Sequence, residues 1–343
     1  MLKINLLKLR KENMQSLSFL VAFGTSALFC AALLPLLKRL KAGQEILQYV
    51  TEHSAKQGTP TMGGIAFILA SACVAAIFCD FSNRGTAVAV AVFVAYGIVG
   101  FLDDFIKIHY KRNMGLHAYQ KILVQLAIAV LVALFVYGDV AIGDKLRIPF
   151  SDKQVQIGWW IIPLVIFIYL ACTNGVNLTD GIDGLATSTT ICFLGGMIVL
   201  LTRELSRLEA IGDTYAYKQT QDVITLCFVT CGALVAFLLF NCNDAKVFMG
   251  DTGSLALGAM VACTAIFTRM SLFIPIVGIM FVVSCVSVIA QVAYFKITKG
   301  KRIFLMAPYH HHLQKKKWSE TRICVLYSTV TVCITLVLFV IGG

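Results

Sequence analysis

Six aspartates stand where an apolar chain has least use for them. Asp103, Asp104, Asp180, Asp183, Asp244 and Asp251 lie at or beside the ends of long hydrophobic runs. An ionisable group at the centre of a membrane helix costs about 2.5–3.5 kcal/mol, less at the interface, so such residues mark function. Hard carboxylates without cysteine partners select Mg2+ or Mn2+ over zinc. Mg2+ takes one or two carboxylates and completes its octahedron with water and phosphate oxygens. The expected substrate therefore carries a diphosphate.

The aspartates have polar company. Lys56 to Gly64 reads Lys-Gln-Gly-Thr-Pro-Thr-Met-Gly-Gly, Asp103-Asp104-Phe105 precedes Lys107 and Lys111, and Asn174 to Gly184 is rich in Asn, Asp and Gly. Asn241 to Ser254 and Pro308-Tyr309-His310-His311-His312 complete the set. Each has a plainer reading. Asp103 and Asp104 are four and three residues from Lys107, a spacing that makes ordinary ion pairs on a helix. Asp180 and Asp183 could cap helices or form turns, and Asp251 could cap the helix that follows it. Three successive histidines cannot all face one point on a helix, so at least one is expected to be structural; the others suit phosphate donors better than metal ligands. Lys315-Lys316-Lys317 reads most simply as a lipid-headgroup contact.

The elements that must position these groups follow from composition. Of 343 residues, 58% are hydrophobic and 14% charged, and the mean hydropathy is +0.82. That excludes a soluble enzyme, a disordered chain and a secreted disulfide scaffold. The expected fold is all-α, a polytopic membrane protein of one domain over residues 1–343. Ten spans are expected: Ser16–Leu37, Gly63–Cys79, Thr86–Leu102, Ile122–Tyr137, Ile157–Thr173, Leu185–Thr202, Val223–Phe240, Leu255–Phe267, Leu272–Tyr294 and Ile323–Ile341. The eighth is short, but Ser254 to Phe295 as one helix would reach roughly 60 Å, about two bilayer cores. A break near Arg269-Met270-Ser271 resolves this. The basic N-terminal arm and first span resemble a signal peptide, yet the run is long and is expected to be retained.

The loops after the odd-numbered spans carry 17 of the 29 Lys and Arg, and the other side carries 12. The odd-loop side is expected to be cytoplasmic, with both termini outside; the N-terminal arm, with four of the 12, argues the other way. All five polar clusters then share the cytoplasmic face, which suggests one interfacial site fed from the cytoplasm. The net charge of +11 reports orientation and attraction to membrane lipid rather than nucleic acid. The 12 cysteines contain no CxxC pair and fall mostly in apolar runs, so they are expected to pack as small apolar side chains.

Asp103-Asp104-Phe105, Asn177 to Leu185, Phe248 to Ser254 and Pro308 to His312 together resemble the motifs of the phospho-N-acetylmuramoyl-pentapeptide transferase (MraY) family. This is one branch of the polyprenyl-phosphate N-acetylhexosamine-1-phosphate transferases. The likeness runs from about Lys38 to the last span; Tyr309 departs from it, standing where an aliphatic residue is expected. It implies a multi-pass protein of the bacterial cytoplasmic membrane, active on the cytoplasmic face. Phospho-MurNAc-pentapeptide would pass from a UDP carrier to undecaprenyl phosphate, giving lipid I and UMP in peptidoglycan synthesis with Mg2+ required. By motif match Asp251 would be the metal ligand with Asp103 and Asp104 beside it, and Asp103 would position or deprotonate the acceptor phosphate. Lys56, Thr61 and Lys107 would hold diphosphate or acceptor. Asn177, Asp180, Asp183, Asn241, Gly250 and Ser254 would shape the nucleotide-sugar pocket, and Phe248 would stack on uracil. His310, His311 and His312, with His311 foremost, would face the donor. The resemblance also implies a homodimer. Two other functions fit less well. A sister enzyme moving GlcNAc-1-phosphate shares the aspartates but not the histidine segment. A secondary transporter would place its ionisable groups near the midplane and show repeat symmetry.

Overall fold

The computed structural model describes residues 2–39, 58–110, 115–151 and 153–341, with side chains from residue 13 onward. Its elements are α1 (Leu2–Arg39), α2 (Gly64–Phe78), α3 (Arg84–His109), α4 (Ala118–Gly138), β1 (Lys145–Arg147), β2 (Gln154–Gln156), α5 (Ile161–Thr179) and α6 (Leu185–Ala210). Then come α7 (Thr214–Asn241), α8 (Gly250–Ile266), α9 (Ile274–Val277), α10 (Ile279–Ile297), α11 (Tyr309–Lys315) and α12 (Glu320–Ile341). Eight described helices are long and apolar enough to cross a membrane, and α2 and α8 are shorter apolar helices. The protein is all-α and polytopic.

Several helices outrun the apolar segments that announce them. α3 continues past Leu102 to His109, so Asp103, Asp104 and Lys107 ride on a helix rather than a loop. Its other end is fixed by Asn83, whose side chain accepts from the Gly85 amide at 3.2 Å; Asp213 does the same for α7 through Ala216 at 3.1 Å. Such caps satisfy amides that have no partner inside the helix. Two features depart from expectation. The span expected over Leu272–Tyr294 is divided into a 3-10 turn at Ser271–Phe273, the short α9 and the longer α10. Pro275 fits only in the first turn of α9, and Gly278 separates α9 from α10. The loop after α4 also holds an antiparallel pair, Leu146 opposite Val155.

The break between α8 and α9 falls where the long apolar stretch requires one. Arg269 is buried there and holds the corner, donating to Asp213 Oδ2 at 2.8 Å and to the Ile142 carbonyl at 3.0 Å. α8 is the axis of the bundle. Every residue from Thr252 to Ile266 is buried, and α3, α5 and α2 pack around it. Gly250, Ser254, Gly258 and Ala262 recur every fourth residue, the spacing that lets helix backbones approach in a membrane. At Gly258 a Cβ would run into the α5 backbone at Thr173, and at Gly100 of α3 one would run into the α8 backbone at Asp251.

Candidate active site

The carboxylates converge where α3, α5 and α8 meet. Asp103, Asp104 and Asp251 each offer an oxygen, all within 4.8 Å of one another. Asp103 and Asp104 are buried at the end of α3, and Asp251 occupies the first turn of α8. Their roles differ. Asp104 caps α8 from a distant part of the chain: it accepts from Asp251 N at 3.2 Å, Thr252 N at 2.9 Å and Thr252 Oγ1 at 2.7 Å. The positive end of the α8 dipole points at the same place. Asp251 is therefore not the cap of its own helix, and its carboxylate faces the cluster. Gly250 makes this turn at φ +71°, and a Cβ there would strike Asp104 Oδ2 and crowd Thr61 Oγ1. Only glycine fits such a position without strain.

Two lysines sit on the carboxylates. Lys107 Nζ is 2.6 Å from Asp103 Oδ2 and 2.9 Å from Asp251 Oδ2, so its pairing is part of a partly buried network between α3 and α8 rather than a contact on the surface of one helix. Lys121 Nζ reaches Asp251 Oδ2 at 2.7 Å from the start of α4. Asn177 donates to Asp251 Oδ1 at 2.6 Å and to Ser254 Oγ at 2.8 Å. Beneath them, Asn174 donates to Gln125 Oε1 at 3.1 Å, and Tyr96 donates to the Gln125 carbonyl at 2.9 Å. These bonds set α4 against α5 about one turn below Lys121 and Asn177, so that both side chains reach one carboxylate.

The surrounding loops are pinned to this core. Phe248, half-buried, donates its amide to the Pro60 carbonyl at 2.8 Å and accepts from Gly63 N at 2.9 Å, which brings the Thr61 segment beside Gly250. Asn241 is buried; it accepts from Thr187 Oγ1 at 2.7 Å and donates to the Val247 carbonyl at 3.1 Å. It shapes the loop before α8. Asp183 accepts from Ala245 N at 3.1 Å, and its amide donates to Glu320 Oε2 at 3.3 Å. Asp180 ends α5, and burial, then the charges of Asp251, Asp104 and Asp183, push its carboxyl well above the usual range.

The histidines divide. The rings of His310 and His311 crowd the space a Cβ on Gly181 would need, next to Asp180. His311 Nδ1 is 2.6 Å from Gln314 Oε1, and Gln314 donates to Glu320. His312 turns elsewhere: its Nδ1 accepts from Leu305 N at 3.1 Å, and its ring stacks on Tyr309. Burial and then the nearby Lys316 charge lower its pKa, which favours the neutral ring that this hydrogen bond uses. Lys56 and Lys111 lie outside the described residues.

Sequence reasoning missed Lys121 and Glu320. Lys121 carried one signal, a cation in the first turn of a helix, where the dipole disfavours it. Glu320 carried none, because its partners Asp183 and Gln314 are set only by the fold.

Comparison with known proteins shows the family to which the chain belongs. The Glycosyl transferase family 4 model matches residues 86–269, and the phospho-N-acetylmuramoyl-pentapeptide-transferase signature 1 matches residues 56–68. A Clostridium novyi protein named phospho-N-acetylmuramoyl-pentapeptide-transferase is 40% identical over 94% of this chain and 95% of its own. Its Clostridium perfringens namesake is also 40% identical, over 94% and 97%, and one from Listeria welshimeri is 38% identical over 93% and 97%. The chain belongs to the phospho-N-acetylmuramoyl-pentapeptide transferase family. As a transferase of that family it is an enzyme, and the carboxylate–lysine cluster lies within the matched region. The histidine segment lies beyond the family 4 match, which ends at Arg269.

The donor set fits a hard divalent cation: three carboxylates, with no thiolate or imidazole among them. Lys121 should matter to the transferase as much as Lys107. Lys121→Met is expected to lower turnover about 10–100-fold, the scale of one hydrogen bond to a charged group, with the thermal midpoint nearly unchanged. Wild-type turnover in this variant would reduce Lys121 to a structural counter-ion.

Proposed function

We propose that the protein transfers phospho-MurNAc-pentapeptide from its UDP-linked donor to undecaprenyl phosphate, releasing UMP and forming lipid I for peptidoglycan synthesis. One observation carries this reading: the carboxylates of Asp103 and Asp104 and the ammonium groups of Lys107 and Lys121 gather around Asp251 at the head of α8, inside a chain 40% identical to proteins named for this transfer. A Mg2+ (or Mn2+) ion held by Asp251, with Asp103 and Asp104 beside it, would draw charge from the diphosphate of the donor. The remaining work belongs to side chains. Lys107 and Lys121 are pre-positioned cations that can turn from Asp251 to incoming phosphate oxygens, so the site exchanges one set of anions for another. Thr61 and, by the motif it belongs to, Lys56 would hold diphosphate or acceptor. Asn177 and Ser254 keep the Asp251 carboxylate oriented. Asp183 and Asn241 hold the loop carrying Phe248, whose half-buried ring would stack on the uracil. His310 and His311, beside Gly181, would meet the donor's phosphates and sugar, while His312 would steady the segment that presents them. The polyprenyl chain would lie between helices while its phosphate reaches the carboxylates. A homodimer is part of the same reading.

UMP release from a panel of UDP-sugars, with undecaprenyl phosphate and with or without Mg2+, tests the proposal. Turnover is expected only with UDP-MurNAc-pentapeptide and Mg2+. Turnover with UDP-GlcNAc alone would assign the protein to the sister reaction, against the alignment of full-length relatives through the histidine segment.

The site would face the cytoplasm. In a cysteine-depleted background, cysteines at Gly58 and Lys315 are expected to label from the cytoplasmic side, and one at Gly343, outside the described residues, from the opposite side; Gly175, which the sequence suggests as a loop reporter, is buried within α5 and is unsuited to labelling. Labelling of Gly343→Cys only from the cytoplasm would overturn the arrangement.

A further inference from the structure

Glu320 joins two segments that flank the carboxylate cluster. It stands half-buried in the first turn of α12, where a negative charge suits the helix dipole. The dipole alone does not account for where its oxygens go. Oε2 accepts from the Asp183 amide at 3.3 Å, in the turn that begins at Asp180, and Oε1 accepts from Gln314 Nε2 of α11 at 3.3 Å. Gln314 is buried, and its own Oε1 lies 2.6 Å from His311 Nδ1. Ile182, Leu313, Ile323 and Tyr327 belong to one apolar cluster, which holds the turn and α11 against α12.

The order of donors and acceptors along this chain is forced. An ionised carboxylate only accepts, so the amide nitrogen of Gln314 faces Glu320 and its carbonyl oxygen faces His311. That oxygen also only accepts, so His311 Nδ1 carries a proton. In the neutral ring Nε2 then holds the lone pair. Nε2 is also the nitrogen that approaches Gly181, 3.1 Å from where a Cβ would stand. Glu320 and His311 have other partners too, which leave this order unchanged because it follows from what each of the three groups can donate. With a neutral group in place of Glu320, Gln314 could turn its nitrogen toward Nδ1, and the ring would take the other tautomer.

We propose that Glu320 is a positioning residue: through Gln314 it fixes His311 in the Nδ1–H form, leaving Nε2 beside Gly181 to accept from an N–H or O–H of the donor's amino-sugar. A neutral Nε2 suits the sugar rather than the phosphates, whose ionised oxygens only accept. The tautomer stands on the geometry alone; the use of Nε2 rests on the phosphosugar transfer proposed above.

Solid-state nitrogen-15 NMR of the histidine-labelled, full-length protein in liposomes tests the tautomer without substrate, at alkaline pH where the rings are neutral. Protonated and bare ring nitrogens differ widely in shift, and His311→Asn identifies the signals by difference. Wild type is expected to show a protonated Nδ1 and a bare Nε2. Glu320→Gln should give a mixture of tautomers, and the exchange of Glu320→Gln with Gln314→Glu should restore the single form, because the carboxylate then accepts from Nδ1 directly. A bare Nδ1 in the wild type, or a tautomer indifferent to both changes, would overturn the proposal. With UDP-MurNAc-pentapeptide bound and Mg2+ absent, Nε2 should stay bare; its protonation would overturn the acceptor role. UMP release, with whichever UDP-sugar supports it, reads the consequence. Glu320→Gln is expected to lower turnover about 10-fold and to cost less than about 2-fold more in a His311→Ala background, since residues acting through one another are not additive. Equal losses in both backgrounds would place the effect of Glu320 on the Asp183 turn and overturn its action through His311. Turnover with UDP-GlcNAc alone would count against the transfer reading and leave the tautomer result intact.

Discussion

Replacing Asp251 with asparagine is expected to lower turnover at least about 100-fold, the scale of losing one electrostatic contact in a transition state, with expression and folding preserved. Asp251 Oδ2 accepts from Lys107 and Lys121, and Oδ1 accepts from Asn177. An amide has the same shape but only one acceptor oxygen. If that oxygen serves the lysines, the new NH2 confronts the Asn177 amide; if it serves Asn177, the NH2 confronts two ammonium groups. Asn177 could turn to relieve the first clash, so the fold should tolerate the change. The lost negative charge cannot be recovered by any rotation. A metal held by oxygen ligands would bind more weakly, and Lys107 and Lys121 would lose the anion that orients them. Turnover measured across a Mg2+ titration separates these losses, since extra Mg2+ would restore only the first. Near-normal turnover at low Mg2+ would leave Asp251 as a helix-terminus charge and nothing more.

Labelled UMP is expected not to exchange into UDP-MurNAc-pentapeptide when undecaprenyl phosphate is rigorously absent. Exchange would require the protein to hold the phosphosugar covalently, through an aspartyl phosphate. Asp251 is badly placed for that attack, because both its oxygens already accept hydrogen bonds from three donors. The acceptor needs little help: the second ionisation of a phosphate monoester lies near pH 6, so it is mostly a dianion at neutral pH. Asp103, held by Leu116 N at 2.9 Å and by Lys107, is suited to orienting the acceptor or steering its last proton. Asp103→Asn should therefore slow turnover about 10-fold or more yet keep measurable activity at high pH. Rapid UMP exchange in lipid-free enzyme, abolished by Asp251→Asn, would establish the covalent route and reverse the two roles.

The ten apolar segments and the break near Arg269 could be read directly, because lipid imposes a length and polarity that no tertiary contact overrides. The aspartates were legible for the same reason, as charges in a chain that otherwise avoids them. What escaped was set by distance along the chain. Asp104 caps α8 across 147 residues, and Lys121 meets Asp251 across 130; neither pairing has a local signature. The β1–β2 pair escaped because Lys-Leu-Arg and Gln-Val-Gln are too short and polar to stand out from a loop. The three histidines looked alike as a run, and only the packing of Tyr309, Phe304 and Leu305 separates His312 from its neighbours.

The burial of α8 on every side has a consequence for how the chain is made. A helix with Asp251, Thr252, Ser254 and Thr264 along 17 residues is a poor candidate for entering hydrocarbon unaided. It becomes comfortable only when α3 can offer Asp104 to its first amides and α5 can offer Asn177 and the backbone that Gly258 meets. Both are synthesised before it. As the ribosome delivers α8, its partners are already in the membrane, and a vacant slot rather than lipid receives it. The order of the helices along the gene product is thus part of what makes the site attainable: the same segments joined with α8 first would expose its polar end to lipid before anything could cover it.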